Sequence, residues 1–514
     1  MKRKLHTTFA AIHLGSEKLS MQITEYRGMN RYKLIDFCNV PVRLGEETFK
    51  NKVIPISLVN EICERLVGFK RLMDEYGVEE YSMQATTAVR EASNQVFLLD
   101  QIYSRTGLEV EVVDMSREIY TKYVAIRDTL NKDKITSRDG AMLMMDISSG
   151  DLGITLVDND KINYQTNIHV GIIRIKESFD RNHRESLQFN NALTELVNSS
   201  IGPVRQELKQ EKARYLVLSG TETSLMLKML QQDEGQKLHR IKAEEFRRFF
   251  KQVRRLNVPQ MMSVYNISEN AAELVLPMVI LYESLLDVLP VEEIVVTEDT
   301  YLDGMQLLHI GSANKERMLE WEKELISVFH TIGKRYNYDR NHVAQVERMS
   351  LIIFDKIASD YGMGAHERLL LRGAAIMHDL GKYINLRSHS VYTYQLIMDT
   401  DILGISDRDK RVMALACYYH ANNLFDTTKK DAPVVPKHEL ALVAKLAAIL
   451  RLADALDRGY CQKIKSCNIT WTENTLIFNV QSKADISLEN WVFDRKSEFF
   501  EEVFGLEAVL ERVN

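Results

Sequence analysis

The change in hydrophobic pattern near residue 315 constrains the fold of this 514-residue chain more than any other feature. Before it, short strand-like runs alternate with helix-like stretches. After it, successive segments carry apolar residues at helical spacing: 315–337, 340–360, 366–381, 388–400, 407–422 and 438–457. The sequence therefore predicts an α/β part followed by an all-helical part.

Two glycine-bearing hairpins begin the two halves of the α/β part. Gly15 and Ser16 form the turn of the first, and Ser148, Ser149 and Gly150 form the turn of the second. Two similar halves indicate a duplicated architecture. Strand-like runs return near the C-terminus, before a final helix. We expect four domains, with boundaries at 1–132, 133–312, 313–460 and 461–514.

Composition and charge exclude several classes of function. Hydrophobic residues make up 45% of the chain and charged residues 27%, as in ordinary soluble proteins. A net charge of -6 gives no general reason to bind nucleic acid or an anionic membrane, so a polyanion would need a local basic lining. The five scattered cysteines and the lack of a membrane-length apolar run favour a cytoplasmic protein.

Histidine and aspartate residues with the character of metal ligands recur through the helical part. His378 and Asp379 end an apolar helical run, and the others lie at helix-length intervals around them: His342, His389, His420 and Asp454. Imidazole and carboxylate together suit Mn, Fe, Ni, Zn or Mg, and a shared carboxylate can bridge two ions. A single histidine–aspartate pair could instead cap a buried helix, but six such residues favour a metal site.

This order of residues resembles the HD superfamily of metal-dependent phosphohydrolases. The resemblance implies that one metal is held by His342, His378, Asp379 and Asp454. It also implies that Asp379 bridges to a second metal, held further by His389 and His420. Lys382 follows the motif and could neutralise charge on a scissile phosphate. The glycine–tyrosine–proline set of cyclic-di-nucleotide hydrolases is absent from the sequence, which disfavours that substrate.

Other stretches are similar to the exopolyphosphatase / guanosine pentaphosphate phosphohydrolase (Ppx/GppA) family. Residues 85–94 are close to its ATxAxRxAxN motif, residues 171–174 resemble LGAxR, and residues 219–221, 450–458 and 499–506 match in order. The resemblance implies duplicated actin-like (sugar kinase/Hsp70-type) α/β domains around a phosphate cleft. An all-helical HD-type domain and a small C-terminal α/β domain would follow, and the protein would be a homodimer.

The same resemblance assigns roles in the cleft. Glu118 would activate a water, and Asp146 would help to hold Mg²⁺. Phosphate would be bound by Gly15, Ser16, Arg90, Ser148, Ser149, Gly150, Arg174, Gly220 and Thr221. However, the family's first turn, DLGSNS, is HLGSEK here from residue 13, and its second, DIGGGSTE, is DISSGDLG from residue 146. Lost carboxylates, glycines and arginines predict a weakened cleft.

Three functions remain open from the sequence. The first is an exopolyphosphatase-like phosphoric anhydride hydrolase acting on polyphosphate or a guanosine polyphosphate. The second is HD-site hydrolysis of a nucleotide or another phosphoester. The third is a non-enzymatic sensor in which phosphate or nucleotide closes the cleft. In addition, the basic face of Arg247, Lys251, Arg254 and Arg255 fits either a polyphosphate track or an ordinary solvated helix.

Overall fold

The computed structural model of the protein describes residues 7–27, 32–180, 183, 188–220, 223–232, 236–312, 314–421 and 432–513. These residues belong to two compact units, Met1–Trp321 and Glu322–Asn514. Thr221 lies outside the described residues. No helix among the described residues is both long enough and apolar enough to span a bilayer.

The first sheet of the first unit has the strand order β3-β2-β1-β4-β5. Its strands are β1 (Thr7–Leu14), β2 (Lys18–Tyr26), β3 (Tyr32–Pro41), β4 (Glu80–Ala85) and β5 (Glu111–Val112). Its helices are α1 (Leu44–Asn51), α2 (Ile56–Glu75), α3 (Thr87–Arg90), α4 (Gln95–Thr106) and α5 (Met115–Lys132). The first three strands pair antiparallel, whereas β4 runs parallel to β1.

The second sheet has the order β10-β11-β9-β6-β7-β8. Its strands are β6 (Met142–Ile147), β7 (Leu152–Asp158), β8 (Lys161–Ile168), β9 (Tyr215–Gly220), β10 (Leu238–Lys242) and β11 (Glu293–Thr297). Its helices are α6 (Ile172–Glu177), α7 (Phe189–Glu207), α8 (Thr223–Met229), α9 (Ala243–Val253), α10 (Val258–Tyr265) and α11 (Glu269–Leu286). The helix after β11, α12 (Tyr301–Ser312), packs against β1 and β2 of the first sheet. Both sheets place a three-stranded antiparallel meander beside a parallel strand, so the topology is duplicated.

Strand β1 is apolar from Phe9 to Ile12, and both faces of this stretch are buried. Ala10, Ile12 and Leu14 belong to one hydrophobic cluster. Phe9 and Ala11 point the other way and belong to a second cluster with residues of α12. This alternation is the two-residue period of a strand. It fixes the register of the hairpin and therefore the position of the turn at Gly15 and Ser16.

The second unit is helical, with a small sheet at its end. Helix α13 (Lys315–Arg335) begins in the first unit and ends in the second. The elements that follow are α14 (Arg340–Ile357), α15 (Ala365–Met377), a 3₁₀ turn (Leu380–Tyr383), α16 (His389–Asp399), α17 (Asp407–Tyr419), α18 (Leu440–Ala455), β12 (Ser466–Thr472), β13 (Thr475–Gln481), α19 (Ser487–Phe504) and β14 (Glu507–Val513). Strand β13 is central in the three-stranded sheet.

Candidate functional site

Helix ends bring the six predicted metal ligands together in the second unit. His342 lies in the first turn of α14, where the Asp339 side chain caps the helix by accepting from the backbone N–H of His342 at 3.0 Å. Helix α15 ends at Met377, earlier than predicted, so His378 and Asp379 lie at its C-terminus. His420 follows α17, His389 begins α16, and Asp454 lies in the last turn of α18.

The first group of ligand atoms has the spacing of a tetrahedral metal site. His378 Nε2 lies 3.3 Å from His342 Nε2 and 3.4 Å from Asp379 Oδ2, and His342 Nε2 lies 3.6 Å from Asp379 Oδ2. Asp454 Oδ1 is 3.5 Å from His342 Nε2 and 4.0 Å from His378 Nε2. Ligand bonds of about 2.1 Å place tetrahedral neighbours about 3.4 Å apart. His342, His378 and Asp379 therefore form a group that could hold one divalent ion, and Asp454 lies beside the two imidazoles.

A second group shares Asp379. Its ligand atoms come from Asp379, His389 and His420 and lie within 4.8 Å of one another. Asp379 Oδ1 is 3.6 Å from His389 Nε2, whereas Oδ2 faces the first group. Burial lowers the pKa of His420 to about 3, and burial also lowers the pKa of His389. Both imidazoles are therefore neutral at pH 7, the form that binds a metal.

Hydrogen bonds orient the four imidazole rings. Nδ1 of His378 bonds the carbonyl of Ala375 at 2.8 Å. The other rings bond through Nδ1 in the same way, His389 to Leu386 O, His420 to Cys417 O and His342 to the Asp457 carboxylate. Carbonyl and carboxylate oxygens only accept, so Nδ1 carries the proton and Nε2 of a neutral ring keeps its lone pair. In its neutral form, each ring therefore offers Nε2 as a ligand.

Three residues at this centre were missed by the sequence interpretation. Asp457, 1% exposed, accepts from His342 Nδ1 at 2.9 Å. Its position three residues after Asp454 in the sequence could have indicated it. Tyr460 donates to Asp379 Oδ2 at 2.7 Å. Lys496, from α19, donates to Asp454 Oδ2 at 2.6 Å, and no local pattern marks it.

The ligand carboxylates Asp379 and Asp454 are held ionised. Burial alone raises the pKa of Asp379, but the charges of His378 and Lys382 and a hydrogen bond from His378 outweigh it and hold that pKa well below its usual range. Lys382 Nζ is 2.6 Å from Asp379 Oδ2. Burial opposes ionisation of Asp454 too, yet Lys496 and His342 keep its pKa low. The centre therefore offers charged oxygen ligands to a cation.

The cleft residues gather around a cavity of about 200 Å³ in the first unit. Predicted site residues in its lining are Gly15, Ser16, Glu118, Asp146, Ser148, Ser149 and Gly220. Among the described residues, Arg90, Gly150 and Arg174 lie outside this lining. Gly220 has φ +152°, and a Cβ there would meet Ile147 O at 2.2 Å, so only glycine allows this close approach.

Both predicted phosphate-binding arginines are engaged by acidic side chains of the protein. Arg90 donates to Glu118 Oε2 at 2.9 Å and to Val113 O at 2.7 Å. Arg174 donates to Gly150 O at 2.7 Å and pairs with Glu91. A phosphate would have to compete with these carboxylates. Elsewhere, on the predicted basic helix face, Arg247 and Arg254 pair with acidic residues of α11 and its C-terminal end.

The position of the family's metal-binding aspartate holds a neutral histidine. Burial and the nearby charge of Lys122 lower the pKa of His13 to about 3, and its Nε2 lies 3.1 Å from Thr86 Oγ1. Asp146 Oδ1 is 3.2 Å from Lys122 Nζ and also accepts from Ser219. Burial raises the pKa of Glu118, against the opposing charge of Arg90. His13, Asp146 and Glu118 therefore offer little unpaired negative charge to the metal of a metal–phosphate complex.

Comparison with known proteins identifies the family. Residues 32–308 match the Ppx/GppA phosphatase family, and residues 327–495 match Ppx/GppA phosphatase, domain III. The first match covers more than half of the chain, so the protein belongs to the Ppx/GppA phosphatase family, and the expected resemblance to that family is confirmed.

Individual relatives are distant. The chain is 20% identical to a guanosine-5'-triphosphate,3'-diphosphate pyrophosphatase of Vibrio atlanticus, over 94% of this chain and 95% of the relative. It is 23% identical to a bifunctional 3-dehydroquinate synthase/phosphatase of Fusobacterium nucleatum, over 34% of this chain but only 27% of that protein. A crystal structure of an exopolyphosphatase from Cytophaga hutchinsonii superposes with a TM-score of 0.52 at 19% identity, covering 60% of this chain and 98% of that one. That likeness shows the shared α/β fold.

Proposed function

We propose that this protein is a metal-dependent phosphohydrolase whose chemistry takes place at the histidine–aspartate centre of the second unit, within an HD-type domain at about 313–460. The spacing of His342, His378 and Asp379 carries this proposal, because three ligand atoms 3.3–3.6 Å apart already suit a divalent ion. Mn, Fe, Ni, Zn and Mg are the candidate ions. Asp379 would bridge to a second ion at His389 and His420.

Each residue of the centre has a role that its surroundings support. When bound, divalent ions supply Lewis-acid polarisation of a phosphoryl group. Neighbouring positive charges keep Asp379 and Asp454 ionised, so both carboxylates would hold the cations. The side chain of Lys382 is 28% exposed at the edge of the centre, where its ammonium can meet a phosphoryl oxygen. His420 is fully enclosed and neutral, which suits a ligand better than an acid catalyst.

The basic surroundings favour a polyanionic substrate. Lys382, Lys496 and Arg458 all lie within 4 Å of a ligand carboxylate. They pair with these carboxylates now, and would become a basic lining for a phosphate if bound ions neutralised Asp379 and Asp454. Together with the family's activities, this supports polyphosphate or a guanosine polyphosphate as substrate, with a nucleotide or another phosphoester as the alternative.

The cleft of the first unit supports a second, weaker candidate function. Glu118 and Asp146 still line its cavity beside the two glycine-bearing turns. This arrangement supports slow Mg²⁺-dependent phosphate release, with Glu118 positioning a water. It equally supports a sensor that binds phosphate or nucleotide without hydrolysis, since Arg90 and Arg174 are held by internal acids.

A phosphatase panel on purified protein separates these proposals. Polyphosphate, guanosine polyphosphates and nucleotides are offered with Mn²⁺ or Mg²⁺ to the wild type, His378→Ala and Glu118→Gln. We expect His378→Ala to lose at least 100-fold in rate and Glu118→Gln to stay within twofold. His366→Ala is the control, because this histidine lies in the same unit and bonds Asp409 instead. The reverse pattern would move the chemistry to the cleft, and phosphate binding without turnover would favour the sensor.

A further inference from the structure

Tyr460 lies directly over the proposed metal centre. Its ring stacks on the His342 imidazole, with centroids 3.7 Å apart and planes 23° apart. Its hydroxyl donates to Asp379 Oδ2 at 2.7 Å, and the Lys382 ammonium contacts both that oxygen and the hydroxyl. Two donors therefore converge on one carboxylate oxygen at the accessible edge of the centre.

The backbone around Tyr460 is held in an unfavourable conformation. Tyr460 has φ +54° and Gln462 has φ +45°, a left-handed region that side-chain-bearing residues rarely adopt. The loop is fixed by Asp457, which accepts from Gln462 N at 2.7 Å and from Gln462 Nε2 at 3.0 Å. Asp457 also bonds His342. The strain therefore places the tyrosine against a ligand through a defined hydrogen-bond network.

The two donors occupy an oxygen that the ion needs. Asp379 Oδ2 belongs to the group of atoms spaced for a divalent ion, yet Lys382 Nζ lies 2.6 Å from it. An ammonium this close to a bound divalent cation is repelled. The hydroxyl competes for the same lone pairs. Both donors must therefore leave Oδ2, at least in part, when an ion binds there.

We propose that Tyr460 is a substrate-binding residue of this centre, and that its hydroxyl and the Lys382 ammonium pass from Asp379 to phosphoryl oxygens when an ion takes Oδ2. This inference rests on the proposed function. A terminal phosphoryl group is the ligand that fits, because it offers three unesterified oxygens, one for the ion and one for each donor. The centre would thus act on chain ends and monoesters rather than on internal phosphodiesters.

Tyr460→Phe tests this role, because it keeps the ring and removes only the hydroxyl. Mn²⁺ binding to the metal-stripped full chain is measured by calorimetry, alongside hydrolysis of a terminal-phosphoryl substrate. We expect Mn²⁺ to bind at least threefold more tightly, since a competing donor is gone, while kcat/KM falls at least tenfold. Lys382→Met should shift both quantities in the same directions. Tyr383→Phe is the control, because Tyr383 is exposed and its ring packs near Tyr336, and it should change neither.

The outcomes distinguish this inference from the proposed function. Weaker Mn²⁺ binding in Tyr460→Phe would show that the tyrosine only supports His342, and would overturn the inference. Unchanged binding and unchanged hydrolysis would overturn it equally. A wild-type protein that binds none of Mn²⁺, Fe²⁺, Ni²⁺, Zn²⁺ and Mg²⁺ at this centre would overturn the proposed function itself, and the exchange of donors with it.

Discussion

Asp457→Asn should weaken metal binding without removing a ligand. In the wild type, Asp457 Oδ2 accepts from His342 Nδ1 at 2.9 Å, so Nε2 is the nitrogen that is free to bind an ion once the ring is neutral. In the variant, the amide oxygen can keep the bond from Gln462 N, so the amide nitrogen faces His342 instead. That nitrogen only donates, which drives the imidazole proton to Nε2 and blocks coordination.

The structure sets the size of this effect. His342 and Asp457 are 0% and 1% exposed, so water cannot replace the lost acceptor. Loss of a carboxylate that orients a ligand imidazole typically costs 10–100-fold in metal affinity, or about 1.4–2.8 kcal/mol. Competition from a proton on His342 lowers the metal affinity of the wild type and so partly offsets this loss. Burial opposes the charged ring, but hydrogen bonds to Asp454 and Asp457 raise the pKa of His342 to about 9, so the ion must displace a proton in the wild type.

Calorimetric Mn²⁺ titrations at pH 7.5 and pH 8.5 measure the affinity and separate proton competition from loss of orientation. Asp409→Asn is the matched control, because Asp409 makes the same kind of bond to His366, at 3.0 Å, outside the centre. We expect Asp457→Asn to bind at least tenfold more weakly at both pH values and Asp409→Asn to match the wild type. Equal affinity in Asp457→Asn would refute the argument that this carboxylate fixes the tautomer.

Two further predictions concern the shared ligand and a buried carboxyl in the first unit. Asp379→Ala should lose both ions and His420→Ala only one, because Asp379 belongs to both ligand groups. Elemental analysis after Mn²⁺ loading counts the bound ions. Equal losses in the two variants would contradict a bridging role for Asp379. Burial raises the pKa of Asp299 to about 6, whereas an unfolded aspartate ionises near pH 4. Between these values the unfolded state has released its proton and the folded state has not, so stability falls as pH rises. Asp299 is only 4% exposed. From pH 4 to pH 7, the free energy of unfolding of Asp299→Asn should therefore rise by about 2–3 kcal/mol relative to that of the wild type. Urea unfolding that gives the same difference between the two proteins at both pH values would contradict this.

Much of the fold was predictable from the sequence because its cause is local. Apolar periodicity located the helices of the second unit, and glycine-bearing turns located the two hairpins that begin the duplicated sheets. The types of the metal-ligand residues and their order were also visible. His342, His378 and Asp379 stand at helix ends, and helix ends leave signals in the sequence.

The tertiary structure decided how these side chains are partnered. The sequence showed that Arg90 and Arg174 were present, but not that Glu118 and Glu91 hold them, because those contacts join distant segments. Likewise, Lys496 reaches Asp454 only because α19 packs beside α18. A sequence fixes which charges exist and which helices carry them. Whether a charge meets a ligand or a neighbouring carboxylate depends on packing between elements, and no local pattern records that packing.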